Sequence, residues 1–450
     1  MFGIDTRRSF AAPLAPLALA LLLVGCVTTP PSPPPLPPAT SPPAATDQLP
    51  TPTSQPTSTA HPSPSPTAPA TASPTPTSPP SPSPSPTASP TSTATAAPSP
   101  AAHHAARLQR TLDRQREAYL IPGLHAAVLF PDGTLWTGSS GLAQLDEGVA
   151  VGDDTPFVVG SISKTFVAAL VMQLAEEGVL SLDDRLSRWL PDYPDAQSIT
   201  LRQLLDHSSG VFNYFEHFTY HRRVFGQPSY SWTPREIVTT FQSEPYFSPG
   251  TGYHYSNTGY ILLGMVIEEA TGGTLGDEYR ERFFEPLGLS QTFFQGDGPP
   301  PSRAAHGYLI GDAGTRLISD GSDYRPTTSA ATVAWAAGAV VSSAGDLATW
   351  GDALYGGSLL DDESLAEMVD FTSNRYAFGA YGLGTRTRLI EGRRVVGHTG
   401  SLRGFAAAMW HFQAEDLTVV VLSNRGRVDV NPIVDRLAAI ALESIGYSRP

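Results

Sequence analysis

The chain has 450 residues, a formal net charge of −14 and one cysteine. That acidic balance, with no basic stripe, excludes an electrostatic nucleic-acid binder. A lone cysteine excludes a disulfide within the folded part.

Residues 1–25 read as an export signal. Arg7 and Arg8 form a basic start, and Leu14 to Val24 is an apolar run too short to span a bilayer as a helix. Leu23-Val24-Gly25-Cys26 resembles a bacterial lipoprotein cleavage box. Cys26 is therefore the expected lipidation site, and the mature protein is expected on the outer face of the membrane, held there by its lipid alone. Thr6-Arg7-Arg8-Ser9-Phe10 resembles a twin-arginine signal, which leaves two export routes open. Residues 26–104 are repeats of Pro, Ser, Thr and Ala with almost no charge. Such a stretch has nothing to bury and is expected to be a disordered tether. At about 3.1 Å per residue it reaches up to ~240 Å when extended.

Residues 105–450 are the expected folded unit, long enough for a large core and two lobes. Ala106 to Leu120 predicts an amphipathic helix. His125 to Phe130 and Thr134 to Gly138 flank Pro131-Asp132-Gly133 and predict a β-hairpin. Residues 165–335 read mostly as helices and loops. Gly404 to Phe412 and Leu417 to Ser423 predict a second hairpin, and Asn431-Pro432 opens a helix that ends at Gly446. Strands at both chain ends with helices between predict an α/β (α+β) fold. An antiparallel sheet built from both termini is flanked by helices, and a mostly helical lobe is inserted into it. The cleft between the lobes is the expected site.

Lys164 is the only lysine; every other basic residue is an arginine. Lysine can lose its proton when its pKa is depressed, whereas arginine cannot. It follows Ser161 by three positions in Gly160-Ser161-Ile162-Ser163-Lys164, which on a helix puts amine and hydroxyl on one face. That is the layout of a serine nucleophile with an adjacent base. A second triplet is Tyr255-Ser256-Asn257. Tyrosine serves as acid or base if a neighbouring cation lowers its pKa, and Lys164 is expected to supply that charge. Asn257 can hold both a substrate amide and an ammonium. A third is His398-Thr399-Gly400, followed by Ser401. Glycine there lets a strand approach bound substrate. The N–H of Ser401 is placed to pair with that of Ser161 as an oxyanion hole. His217 and His221 have i, i+4 spacing, but no glutamate follows His217, so no metal is expected.

In their order Ser161-x-x-Lys164, Tyr255-x-Asn257, His398-Thr399-Gly400, separated by 94 and 143 residues, the motifs resemble those of the penicillin-recognising serine hydrolases. That family includes DD-carboxypeptidases, class C β-lactamases and related esterases. Leu204 to Gly210, Phe247-Ser248-Pro249-Gly250, Glu285 to Leu289 and Gly338 to Ser343 extend the likeness over 105–446. The resemblance implies Ser161 as the acylated nucleophile, Lys164 and Tyr255 sharing the proton transfers, Asn257 on the substrate amide, and the third motif on the opposite wall. His398 stands where class C β-lactamases usually carry lysine, as in some soluble DD-carboxypeptidases. Those enzymes also place an arginine just after Tyr-Gly-Leu-Gly to bind a terminal carboxylate. Here Tyr381-Gly382-Leu383-Gly384-Thr385-Arg386 has that arrangement, with Arg388 a competitor, and Arg403 replaces a residue that is often uncharged.

The expected function is a serine acyl hydrolase resembling a D-Ala-D-Ala carboxypeptidase. It would act on a peptidoglycan stem peptide or another small amide or ester, with β-lactams as acylating ligands and no cofactor. A β-lactamase or esterase on the same scaffold is the alternative. A non-catalytic penicillin- or peptidoglycan-binding protein is the remote one.

Overall fold

The computed structural model describes residues 100–298, 300–310, 317–318, 328–374 and 380–447. The expected export signal, Cys26 and all but the last residues of the expected tether lie outside the described residues. The first helix begins at Pro100 and runs to Ala118, six residues ahead of the expected start at 106. Ala101, Ala102, Ala105 and Ala106 explain the extension, because alanine is the best helix former and proline is tolerated in a first turn.

Among the described residues twelve strands follow: β1 (Gly123–Leu129), β2 (Leu135–Gln144), β3 (Val149–Ala150), β4 (Phe157–Val158), β5 (Phe293–Phe294), β6 (Leu309–Ile310), β7 (Leu317–Ile318), β8 (Val340–Ser342), β9 (Arg386–Ile390), β10 (Arg393–Leu402), β11 (Phe405–Phe412) and β12 (Leu417–Ser423). Seven of them make one antiparallel sheet in the order β3-β2-β1-β12-β11-β10-β9. The N-terminal and C-terminal hairpins meet at β1 and β12, where Ala126 faces Val421 and Val128 faces Val419. The expected mixed α/β fold, with a large antiparallel sheet flanked by helices, is the fold observed.

Every residue of β11 and β12 is buried. Alternation therefore distributes apolar side chains to two covered faces instead of one wet and one dry. Val419 and Val421 pack with Leu108, Leu112, Val434 and Leu437 of the two terminal helices, Pro100–Ala118 and Asn431–Ser444. Val420 and Leu422 belong to the other core, with Leu347 and Trp350 of the Ala344–Tyr355 helix. That second core continues into a mostly helical stretch between β4 and β8, which pair with β5 in a small sheet.

The Ser163–Glu176 helix runs through this second core. Phe166 stacks on Trp350 with centroids 3.8 Å apart and planes 7° from parallel. Trp350 also donates from Nε1 to Thr165 Oγ1 at 2.9 Å, so a buried indole N–H is satisfied by the residue next to Lys164. The helix that carries Lys164 is thus fixed to a helix packed on the main sheet.

Candidate active site

Ser161 lies in a 3₁₀ turn, Gly160–Ile162, that leads into the Ser163–Glu176 helix. Gly160 adopts φ +54, a conformation that favours glycine. Lys164 is fully buried, and its Nζ has three neighbours. Ser161 Oγ is 3.2 Å away, Asn257 Oδ1 2.8 Å and the carbonyl oxygen of Ala337 2.7 Å. Burial, followed by the charge of Arg386, pushes the Lys164 pKa well below its ordinary 10.5. A neutral amine has two N–H bonds and one lone pair. The two carbonyl acceptors take both N–H groups, and the lone pair then faces the Ser161 hydroxyl.

A chain of side chains fixes which end of Asn257 meets the lysine. Asn257 Nδ2 donates to Asn213 Oδ1 at 3.1 Å, and Asn213 Nδ2 donates to Glu216 Oε1 at 3.0 Å. Glu216 also accepts from the Tyr246 hydroxyl at 2.7 Å, and His254 Nε2 lies 3.2 Å from it. Burial raises the Glu216 pKa, but these hydrogen bonds outweigh it and hold the group below the usual carboxylate range. An ionised carboxylate only accepts, so each amide must point its nitrogen toward Glu216 and its oxygen toward Lys164. Asn213 was not singled out from the sequence, and neither was the Ala337 carbonyl, which no side-chain motif can announce.

Tyr255 corrects one expectation. A neighbouring cation was expected to lower its pKa; burial instead raises it, outweighing the pull of Ser161 and Arg386. Lys164 Nζ sits 5.0 Å from the Tyr255 ring centroid, over the π face. Tyr255 is therefore a buried neutral phenol, a proton donor beside a neutral amine.

His207, in the segment from Leu204 to Gly210, clamps the tyrosine. Its carbonyl accepts from His254 N–H at 3.1 Å and its Nδ1 from Ser256 N–H at 3.2 Å. Its ring packs 4.3 Å from Tyr255 and 4.6 Å from Tyr381. It holds φ +63, unusual for a residue with a side chain. Burial, then the charge of Lys164, depresses its pKa well below 6.5, so the ring stays neutral and Nδ1 stays an acceptor.

The third motif lies in β10, whose Gly397 pairs with Arg386 of β9. Burial, with Arg386 and Lys164 adding, keeps His398 neutral. Its Nδ1 lies 2.5 Å from the Thr399 carbonyl oxygen and its Nε2 3.1 Å from the Tyr381 hydroxyl. The ring thus donates from Nδ1 and accepts at Nε2. Gly400 is glycine for a different reason than expected: an added Cβ would collide with the Val159 carbonyl oxygen, so it admits the Ser161 turn. A Cβ on Gly160 would lie 2.9 Å from Ser401 N, so the two glycines interlock and bring the Ser161 and Ser401 amides together. Ser161, Tyr255, Arg386, His398, Thr399, Gly400 and Ser401 line one cavity of about 280 Å³. Asn257 is behind it, 5% exposed and committed to Lys164 and Asn213. Arg386 Nε is buried without a partner, and among the described residues Arg386 forms no ion pair. Arg388 is instead held by Asp435 through two 2.8 Å contacts, which removes it from the cavity.

His217 and His221 are not brought together: His217 Nδ1 lies 2.9 Å from Thr219 Oγ1, and His221 stacks on Phe225. Among the described residues, metal-ligand atoms converge at Asp352, His411 and Asp416, which belong to none of the three motifs.

Replacing His207 with phenylalanine keeps a ring against Tyr255 but leaves the buried Ser256 N–H without its acceptor, a loss of about 1–3 kcal/mol. Asparagine at this position tolerates positive φ and returns an oxygen near the Nδ1 site. Thermal or chemical denaturation should therefore rank His207→Phe well below wild type and His207→Asn between them. A phenylalanine variant as stable as wild type contradicts the clamp.

The Beta-lactamase family profile matches residues 108–443. Penicillin-binding protein 4 of Amycolatopsis lactamdurans is 35% identical over 215 residues, 47% of this chain and 54% of that protein. A D-aminopeptidase of Cereibacter sphaeroides is 28% identical over 350 residues, 76% of this chain and 64% of that protein. The crystal structure of a D-stereospecific amidohydrolase from a Streptomyces species superposes with a TM-score of 0.65 at 30% identity, covering 76% of this chain and 99% of the other. The matches span between 54% and 65% of the curated relatives' own lengths. With the family profile spanning most of the chain, the protein belongs to the Beta-lactamase family of penicillin-recognising serine hydrolases.

Proposed function

We propose that the chain is a serine acyl hydrolase with D-Ala-D-Ala carboxypeptidase-like activity, working through an acyl-enzyme on Ser161. The observation that carries this reading is the Lys164 amine, whose two N–H groups are taken by Asn257 Oδ1 and the Ala337 carbonyl while Ser161 Oγ occupies the third direction. Ser161 Oγ attacks the substrate carbonyl, and its proton passes to the Lys164 lone pair. The Ser161 and Ser401 amides receive the developing oxyanion. As the tetrahedral centre collapses, the C–N bond breaks. The leaving amine takes the Tyr255 proton, and Lys164 returns one to Tyr255. Water then attacks the acyl carbonyl, giving its proton to the same pair, and Ser161 regains its hydrogen as the acid departs. Arg386 supplies a forked cation for the terminal carboxylate of the leaving group, since neutral His398 cannot.

Hydrolysis of D-amino-acid amides is the second reading, favoured by relatives named D-aminopeptidase and D-stereospecific amidohydrolase. The export signal and the run to Cys26 support an exported, lipid-anchored location.

Three outcomes follow. Ser161→Ala should abolish covalent labelling by a fluorescent penicillin while thermal unfolding stays close to wild type; persistent label excludes the mechanism. The acylation rate should rise with pH through the Lys164 pKa, because only the neutral amine accepts the proton, and should level off well below 10.5. Lys164→Arg should stay inactive across that range, and an active arginine variant rules lysine out as the base. Finally, Cys26→Ser should move the expressed protein from the membrane to the soluble fraction, and unchanged membrane retention refutes lipidation at Cys26.

A further inference from the structure

The two oxygens that take the Lys164 N–H groups come from different helices. Asn257 is the first residue of the Asn257–Thr271 helix, and Ala337 is next to last in the Thr328–Gly338 helix. The gap between those oxygens therefore depends on how closely the two helices approach. They meet at Gly264. A Cβ added there would lie 2.7 Å from Trp335 Cζ3, 2.9 Å from Trp335 Cη2 and 2.8 Å from Ala336 Cβ. Non-bonded carbon atoms do not pack that closely, and the indole is buried with little room to move. Glycine is a poor residue for a helix interior, so this contact accounts for it where local propensity does not.

Trp335 is unusual in its backbone as well. With φ +30 and ψ −126 it breaks the Thr328–Gly338 helix two residues before Ala337. That conformation is costly for a residue with a side chain and persists only where packing enforces it. The last carbonyls of a helix have no partner within it, and here the Ala337 oxygen is given to Lys164 at 2.7 Å. Tyr214 ties the same two helices together from another point. Its N–H donates to Thr258 Oγ1 at 3.0 Å, and its hydroxyl donates to the Val333 carbonyl at 2.6 Å. The tie draws the helices together, and the Gly264 contact limits how far they close.

We infer that Gly264 and Trp335 are positioning residues for the general base. Their contact sets the spacing of the two carbonyl oxygens, and with it the direction in which the Lys164 lone pair faces Ser161. The inference rests on the reading of Lys164 as the base for Ser161. Neither residue lines the cavity at Ser161 or hydrogen-bonds to Lys164, so their effect passes through Asn257 and Ala337.

The test uses the full-length chain and the rate of Ser161 acylation by a fluorescent penicillin, followed across pH with thermal unfolding in parallel. The titratable and charged groups around the amine are Tyr255, Tyr260, His207, His398 and Arg386, and the substitutions alter none of them. In Gly264→Ala the new methyl must push the indole and Ala336 away, which carries the Ala337 carbonyl off the amine. The acylation plateau should fall by about tenfold or more, the scale on which a misplaced catalytic group loses rate, and the pH midpoint should leave its wild-type value. Trp335→Phe removes the indole edge that Gly264 meets and lets the helices close, so its midpoint should move as well. The double variant refills the contact and should lie nearer to wild type than either single one. A folded Gly264→Ala protein that keeps the wild-type plateau or midpoint overturns the assignment, however much stability it has lost. If Gly264→Ala does not fold, a folded Trp335→Phe protein with the wild-type midpoint overturns it. So does a folded double variant no nearer to wild type than the singles. A wild type that is not labelled, is labelled equally after Ser161→Ala, or is labelled at a rate indifferent to pH overturns the lysine-base reading instead, and the assignment falls with it.

Discussion

The site depends on an amine buried against carbonyl oxygens. Lys164 Nζ meets an amide oxygen from Asn257 and a peptide oxygen from Ala337. Neither carries a formal charge. A carboxylate in either place would stabilise the ammonium and keep the proton on nitrogen. A carboxylate does serve the site, but Glu216 sits two amides away, behind Asn257 and Asn213. At that distance it sets the direction of the chain without pairing with the lysine. The nearby titratable groups agree with this arrangement: burial keeps His207 and His398 neutral and Tyr255 protonated. Arg386 is left as the cation that the cavity wall presents, and it lowers the Lys164 pKa further.

A lone pair aimed at a hydroxyl is useful only if the hydroxyl is held against the rest of the site. Gly160 and Gly400 do this by letting the Ser161 turn press into strand β10, where a side chain on either would meet backbone atoms. On the other side, Phe166 and Thr165 fix the same helix to Trp350. The Ser161 turn is clamped between the sheet and a helix that packs on it. The Ser161 and Ser401 amides, proposed above to receive the oxyanion, are therefore set by backbone packing.

The fold was largely legible because its edges have simple periods. Two hairpins with apolar strands and a capped C-terminal helix announce a sheet made from both chain ends. The three motifs were legible because they are short and ordered. What escaped the sequence depends on long-range geometry. The Ala337 carbonyl belongs to the backbone, so no residue type marks it. Asn213 is 44 residues from Asn257, and only folding shows that they share a hydrogen bond. Arg386 and Arg388 are alike in sequence; their difference is that Asp435 of the C-terminal helix reaches one and not the other. Tyr255 was misjudged because proximity to a cation is easier to read than burial, and here burial is the larger effect. Gly400 was read correctly as a close approach, but the approaching partner is the enzyme's own turn.

Charge is distributed unevenly between the chain and its cleft. The chain carries a formal charge of −14, yet the arginine that lines the cavity at Ser161 is Arg386. Asp429 lines the same cavity as Ser161, but it is exposed and its Oδ1 accepts from the Asn431 N–H and side-chain amide at 3.0 and 2.9 Å. At physiological ionic strength fields between exposed charges fade over about 8 Å, so the acidic surface does little to repel an anionic substrate at the cleft. Beside Ser161, where Arg386 Nε is buried, that one guanidinium acts at close range and is little screened. The overall charge can then serve solubility while Arg386 is the cation that the wall beside Ser161 presents. This separation is available because burial disfavours charge on Lys164, Tyr255 and His398, leaving Arg386 as the cation beside them.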